Sequence, residues 1–366
     1  MNLHSYFTQK SAKWFEGAYG LYSNLAVRIT PVDESLGFRY VHDSSNPDIS
    51  PSPLPCEEPI RLAAQKVVRF GMLEGDAIVD ADMAVYDPQS PNGPVPFSEN
   101  GSKARRLAIV LNSSEAKLLA KTSTESVEDC ARTIAHLEGA EVVIIKQGPL
   151  GAFVWDQGKS ELIPAYLTST VWKIGSGDCF VAHFAYGWMA KGESAAAAAA
   201  KASKATAYYC QYQALPAPVQ LDGFNPEPLL PSAAYLNGGN RHLYLAGPFF
   251  DLPQIWMIEE ALRNLRELGF KVFSPFHDVG MGSAKDIAHQ DLKALDKSDI
   301  VFAIADGVDA GTMFEVGYAR AKKIPVIVYS ERESEENLKM PEGTDCTICD
   351  NYTTALYKTL WKAMSL

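Results

Sequence analysis

Between Leu215 and Asn240 the chain carries Pro216, Pro218, Pro226, Pro228 and Pro231, followed by Gly238 and Gly239. Proline fixes φ and has no amide to donate, and glycine is costly to order, so neither a helix nor a strand pattern survives such a stretch. It divides 366 residues into two parts, each long enough to bury its own core. We expect a domain over residues 1–213, a linker over 214–240 and a second domain over 241–366.

On both sides of this break, short apolar runs alternate with amphipathic stretches, the pattern of a layered α/β protein with a largely parallel sheet. In the first part the expected strands are Met83 to Tyr86, Leu107 to Leu111, Val142 to Lys146 and Ala152 to Trp155. Helices are expected over Ser113 to Lys121, Ser126 to Leu137 and one long stretch from Asp178 to Cys210, whose alanine run, Ala195 to Ala200, favours a closely packed helix. The second part reads as strand Leu243 to Ala246, helix Trp256 to Leu268, strand Lys271 to Ser274, helix Ile287 to Leu295, strand Ile300 to Ala305, helix Met313 to Lys322, strand Val326 to Tyr329 and a last helix near Thr353 to Met364. That is the order of a small doubly wound sheet, whose ligands sit beyond the carboxyl ends of the strands.

Composition narrows the function classes. A hydrophobic share of 47% with 21% charged residues suits a globular protein, and no apolar run reaches the length of about 20 residues that spans a membrane. The first residues lack an apolar stretch with a small-residue cleavage site, which leads us to expect a cytoplasmic protein. A net charge of -11 opposes a phosphate backbone, making nucleic acid a poor partner. Cys56, Cys130, Cys179, Cys210, Cys346 and Cys349 are too sparse for a disulfide framework. Cys346 and Cys349 form a CxxC with no second pair or spaced histidine, so we read thiols and no metal site.

The chemistry-bearing residues of the second part gather where its strands end. Tyr244-Leu245-Ala246-Gly247-Pro248-Phe249-Phe250 closes the first strand: Gly247 lets a ligand approach the backbone, Pro248 stiffens the turn, and the aromatic rings of Tyr244 and Phe249 can face a flat base. A later loop holds Asp306, Asp309, Gly311 and Thr312 and opens the helix carrying Glu315. With that helix starting near Met313, Glu315 falls in the first turn, where the dipole favours its ionised form. A carboxylate so held can attack an anomeric carbon if another group assists the departing base. An acid at a helix start can equally serve as a cap, and we assign Asp296, Asp299 and Asp306 to that role. His277 and His289 lie near this pocket and read as ordinary hydrogen-bonding residues, with contact to a substrate phosphate as the alternative.

Together with Asp291, the runs Tyr244 to Phe250 and Asp309-Ala310-Gly311-Thr312-Met313-Phe314-Glu315-Val316-Gly317-Tyr318-Ala319 make the part from Arg241 to Leu366 resemble the nucleoside 2-deoxyribosyltransferases and their nucleotide N-glycosidase relatives. The resemblance implies that Glu315 is a nucleophile forming a glycosyl ester, that Asp291 is the acid for the leaving base, and that Asp309 helps to hold substrate. It further implies a homodimer or larger assembly in which a residue matching Asn337 reaches the pocket of a neighbour. No cofactor is implied for this half.

In the first part, Asn112-Ser113-Ser114-Glu115 follows a strand, Lys146-Gln147-Gly148-Pro149-Leu150-Gly151-Ala152 joins two strands, and Gly175-Ser176-Gly177-Asp178 opens a helix whose amides can form an anion hole. These three elements in this order resemble the ribokinase-like (PfkB) sugar and nucleoside kinases over Val79 to Tyr212. The resemblance implies Asp178 as catalytic base, Gly175 and Gly177 as anion-hole glycines, Asn112 and Glu115 as organisers of metal and phosphate, Lys146 and Gly148 at the nucleotide, and ATP with Mg as cofactors. Two departures stand out: Trp172 occupies a position normally acidic, and the sugar-holding opening segment of the family is missing, so the expected fold is a truncated ribokinase-like domain followed by a small Rossmann-like one.

The expected activity is cleavage of an N-glycosidic bond in a (deoxy)nucleoside, nucleotide or NAD-like molecule, by hydrolysis or by transfer to a second base. The first half is left open among a gate that senses a nucleotide or a regulatory protein partner, a structural element and a working kinase.

Overall fold

A computed structural model describes residues 1–19, 25–52, 57–90, 92–122, 126–280 and 282–366; Cys56 lies outside them. The chain divides into two compact units, one of residues 1–165, 174–209 and 214–224, the other of residues 166–173, 210–213 and 225–366.

The first unit opens with β1 (Asn2–Phe7), α1 (Gln9–Tyr19) and β2 (Ala26–Pro31), where β1 and β2 pair in parallel, and with a small hairpin of β3 (Gly37–Arg39) and β4 (Asp48–Ser50). Its main sheet is built from β5 (Ile60–Phe70), β6 (Ala77–Asp87), β7 (Lys103–Asn112), β8 (Val142–Lys146), β9 (Ala152–Asp156) and β10 (Lys159–Ile163), in the order β10-β9-β8-β7-β6-β5. Strands β5 to β8 run parallel; β9 and β10 turn back antiparallel. Central strands such as Val142-Val143-Ile144-Ile145 are apolar on both sides because each face is covered. Helices α2 (Ser113–Ala120) and α3 (Val127–Glu138) pack Leu119, Ile134 and Ala135 on one face, and α4 (Ser176–Ala185) and α5 (Ala195–Tyr212) pack Phe180, Phe184, Ala198 and Ala202 on the other.

The alanine run lies in α5, with Ala195, Ala198 and Ala199 buried against the sheet. The single helix expected from Asp178 to Cys210 is instead interrupted. The last turn of α4 widens to i→i+5 spacing over Tyr186–Ala190, and Gly192, at φ 69°, breaks the chain before α5 starts. Strand β5 and the elements before it had no sequence signal of their own, since β5 is largely exposed and its polar residues hide the period.

The second unit holds β11 (His242–Ala246), α8 (Leu252–Glu267), β12 (Lys271–Phe273), α9 (Pro275–Asp278), α10 (Ala284–Leu295), β13 (Ile300–Ile304), α11 (Ala310–Ala321), β14 (Val326–Tyr329), α12 (Glu335–Gly343), β15 (Thr347–Cys349) and α13 (Tyr352–Ser365). All five strands are parallel, in the order β12-β11-β13-β14-β15. The chain moves outward from β11 to β12 and then crosses to β13 on the other side, which opens a crevice between the carboxyl ends of β11 and β13. The proline-rich stretch is not featureless: α6 (Pro218–Gly223) and α7 (Ala233–Leu236) form within it, each started by a suitable N-terminus, Pro218 in α6 and the Ser232 cap of α7.

No helix among the described residues is long and apolar enough to cross a membrane. Cys130, Cys179, Cys346 and Cys349 are buried thiols outside any disulfide, and burial pushes Cys349 up to about 11.

Candidate active site

Glu315 reaches the crevice of the second unit by a route different from the expected one. Asp309, not a later residue, caps α11, accepting from the Thr312 amide at 2.7 Å and the Thr312 hydroxyl at 2.9 Å. The helix therefore begins at Ala310 and Glu315 stands in its second turn, too far along for the dipole to hold it ionised. Burial, together with the charges of Asp291 and Asp309, instead raises its pKa to about 7. One contact opposes this: the Tyr244 hydroxyl donates to Glu315 Oε1 at 2.6 Å. The Tyr244 ring is 0% exposed and stacks on Phe273, so the side chain offers Glu315 a hydroxyl and presents no face to a ligand. Burial and the Glu315 carboxylate both hold the Tyr244 proton on.

Asp291 comes from α10 and is 9% exposed; its Oδ1 has no hydrogen-bond partner. Desolvation raises its pKa, and its charge is felt at both Glu315 and Tyr244. A buried carboxyl with an orphaned oxygen is poised to meet a ligand donor or to carry a proton itself. The sequence thus brought Tyr244, Asp291, Asp309 and Glu315 to one place.

In the loop after β11, Gly247 has a packing role that the sequence did not show. A Cβ there would lie 2.9 Å from Ile258 Cδ1 and 3.1 Å from Ile304 Cβ, so the bare position also lets α8 and β13 pack closely. Pro248 is buried behind it, while Phe249 is half-buried and shares an aromatic group with Phe250 and Phe276 at centroid distances of 5.5 and 5.3 Å. Gly311 is exposed on the first turn of α11 and Thr312 is buried as partner of the cap. Asn337 lies on exposed α12, its Nδ2 donating to Glu333 of the same chain at 2.6 Å. His277 bonds Ser274 and Glu259, each at 3.0 Å, and His289 is exposed.

In the first unit, α4 starts at Gly175, whose φ of 79° and whose neighbour Tyr209 Oη, 2.6 Å from any added Cβ, admit only glycine. Asp178 sits in the first turn, and burial and then the charge of Asp87 raise its pKa while Lys146 lowers it. Lys146 Nζ donates to Asp87 Oδ2 at 2.8 Å and lies 3.3 Å from where a Cβ on Gly177 would be. Gly148 belongs to the turn leaving β8. Asn112 and Glu115 are bound to each other in a reciprocal cap of α2, and burial raises the Glu115 pKa.

Sequence reasoning missed Asp87 and Gln89. Asp87, at the end of β6, is 1% exposed with Oδ1 unpartnered, and Gln89 Nε2 donates to Asp178 at 3.3 Å. The available signal was an acid ending the otherwise buried run Met83 to Tyr86. Among the described residues no trio of His, Cys, Asp or Glu forms a ready metal cage. Magnesium is ordinarily held by one or two carboxylates with phosphate oxygens, and the orphaned Asp87 oxygen beside Asp178 and Glu115 fits that arrangement.

A parallel five-stranded sheet thus carries Glu315 and the buried Asp291 at its switch point, where ligands of such sheets sit. Residues 243–347 match the nucleoside 2-deoxyribosyltransferase family model, and the chain belongs to that family through this domain. The 2-deoxyribosyltransferase of Bacillus psychrosaccharolyticus is 32% identical over 28% of this chain and 80% of its own, with a TM-score of 0.25. That of Leishmania mexicana is 20% identical over 33% and 97%, with a TM-score of 0.28. Residues 81–220 match the pfkB family of carbohydrate kinases, and ribokinase from Thermotoga maritima is 16% identical over 60% of this chain and 78% of its own, with a TM-score of 0.41. No curated protein matches the chain.

Proposed function

We propose that the second unit cleaves the N-glycosidic bond of an unphosphorylated (deoxy)nucleoside through an ester between Glu315 and the sugar. The observation that carries this reading is the Glu315 carboxylate, fixed by the Tyr244 hydroxyl at 2.6 Å and set beside Asp291 in the crevice between β11 and β13. With its pKa near 7, Glu315 is about half ionised at neutral pH, and the ionised fraction attacks the anomeric carbon as positive charge develops there. Asp291, whose pKa is raised, protonates or hydrogen-bonds the leaving base. Water or a second base then resolves the ester, giving hydrolysis or transfer.

Charge supports a nucleoside over a nucleotide or NAD. Helix N-termini at strand ends are the usual seats of phosphate, yet α8 and α11 are already capped by the carboxylates of Asp251 and Asp309. A relative from Bacillus psychrosaccharolyticus is described as a catalyst for nucleoside synthesis, in keeping with this choice. Incubation with nucleosides, their 5′-phosphates and NAD, followed by chromatography of free base, tests the reading. Release from nucleosides that drops by about a thousandfold or more in Glu315→Gln is expected; undiminished release in that variant would refute it.

For the first unit we propose a phosphate-handling site in which Lys146, steered by Asp87, faces the amino end of α4 and Asp178 accepts a hydroxyl proton. ATP with Mg is the ligand tested. Phosphate transfer to a sugar or nucleoside that Asp178→Asn abolishes while base release persists favours a bifunctional enzyme. ATP binding that alters base release without transfer favours a gate, and absence of both removes the site.

A further inference from the structure

The turn joining β13 to α11 is held in an unfavourable shape by residues that the reaction itself does not use. Gly307 has φ 91° and Val308 φ 44°, and a β-branched residue in the left-handed region does not rest there unaided. Immediately after it, Asp309 caps the helix that carries Glu315.

What holds the turn comes from the next strand connection. Glu333 Oε1 accepts from the Gly307 amide at 2.8 Å, and Glu333 Oε2 accepts from Asn337 Nδ2 at 2.6 Å. The Glu333 amide donates to Ser330 Oγ at 3.2 Å, and that hydroxyl donates to Asp306 Oδ1 at 2.6 Å. Asp306 also accepts from the amides of Glu331 at 3.3 Å and Arg332 at 3.1 Å. The loops after β13 and β14 are therefore cross-braced from both directions, and among the described residues the side chain that bonds the strained turn's own backbone is Glu333, at Gly307.

We propose that Glu333 is a positioning residue for the glycosyl-transfer site: it sets the Gly307–Val308 turn, and through it the Asp309 cap and the aim of Glu315. This inference rests on the reading of Glu315 as the attacking group. It gives Asn337 a place as well, since that side chain steadies the second oxygen of Glu333 within the same chain.

A merely structural brace would change thermal stability alone. A positioning brace changes the chemical step, because a misplacement of about 1 Å costs rate and not affinity. It also changes titration. Glu315 is faced by Tyr244 from β11, Asp291 from α10 and Asp309 from its own cap; loosening Asp309 removes one repelling charge and draws the Glu315 pKa down from about 7.

The test is base release from a deoxynucleoside by the full chain, as kcat, KM and pH profile. In Glu333→Ala kcat is expected to fall about tenfold or more, with KM changed by less than about twofold and the acidic limb displaced to lower pH. Glu333→Gln, which still accepts from Gly307, is expected to retain most of the rate. Val308→Asn placed in the Glu333→Ala background is expected to recover part of it, because asparagine tolerates the left-handed region. A fully active Glu333→Ala with an unmoved pH profile overturns the proposal while leaving the proposed function intact, as does a rate loss that neither Glu333→Gln nor Val308→Asn relieves. A wild-type chain that releases no base overturns both.

Discussion

The Tyr244 hydroxyl and the Glu315 carboxylate compete over one proton's position, and burial decides the outcome. Desolvation raises the Glu315 pKa, and the donated bond from Tyr244 draws part of that shift back. The rate of base release should rise as pH passes upward through about 7, because the free enzyme must hold Glu315 ionised to attack. Tyr244→Phe removes the lowering contact and nothing else of similar size, so its rise should lie at higher pH, with kcat at neutral pH reduced about tenfold or more. A pH–rate profile that is identical in the two proteins contradicts this account of the pair.

At the scale of elements, the alanines of α5 show how small side chains let a helix lie close to a sheet. Ala199 is 0% exposed in the cluster with Phe184, Trp188 and Val110. Ala199→Leu has no space to enter and should destabilise the first unit by about 1–3 kcal/mol. Thermal unfolding reads this as a lowered transition; an unchanged midpoint would show that α5 packs less closely than its burial implies. The same elements show what the sequence could reveal. Central strands and their helices were legible because burial on both faces makes apolar runs, as in Val142 to Lys146 and Ile300 to Ala305. Strand β5 was not, since most of its side chains face solvent, and the break at Gly192 was masked by the high helix propensity around it. The acidic set at the crevice was legible from its motif, but the start of α11 was misjudged by three residues because Asp309 is its cap. The packing of Gly247 against Ile258 was not legible, because a glycine after a strand looks the same in sequence whatever lies beside it. Asp87 escaped notice because its partner Lys146 is 59 residues away in the chain.

For the whole molecule, two enzyme-like units stand on one chain, each with a carboxyl of raised pKa at the carboxyl end of its sheet: Asp178 in one and Glu315 in the other. Both follow the same rule, that a parallel sheet exposes its ligand-binding edge where the strands stop. Their chemistry differs in the neighbours. Lys146 brings a positive charge to Asp178, suited to phosphate, while Glu315 has Tyr244, Asp291 and Asp309, suited to an uncharged sugar that gains positive charge as its base leaves. The most direct measurement of the central claim is mass spectrometry of the protein quenched with acid during turnover of a deoxynucleoside, followed by peptide mapping. A deoxyribosyl adduct on the peptide containing Glu315, absent in Glu315→Gln, is the predicted result. Steady base release with no adduct there, or with the adduct on another residue, would contradict it.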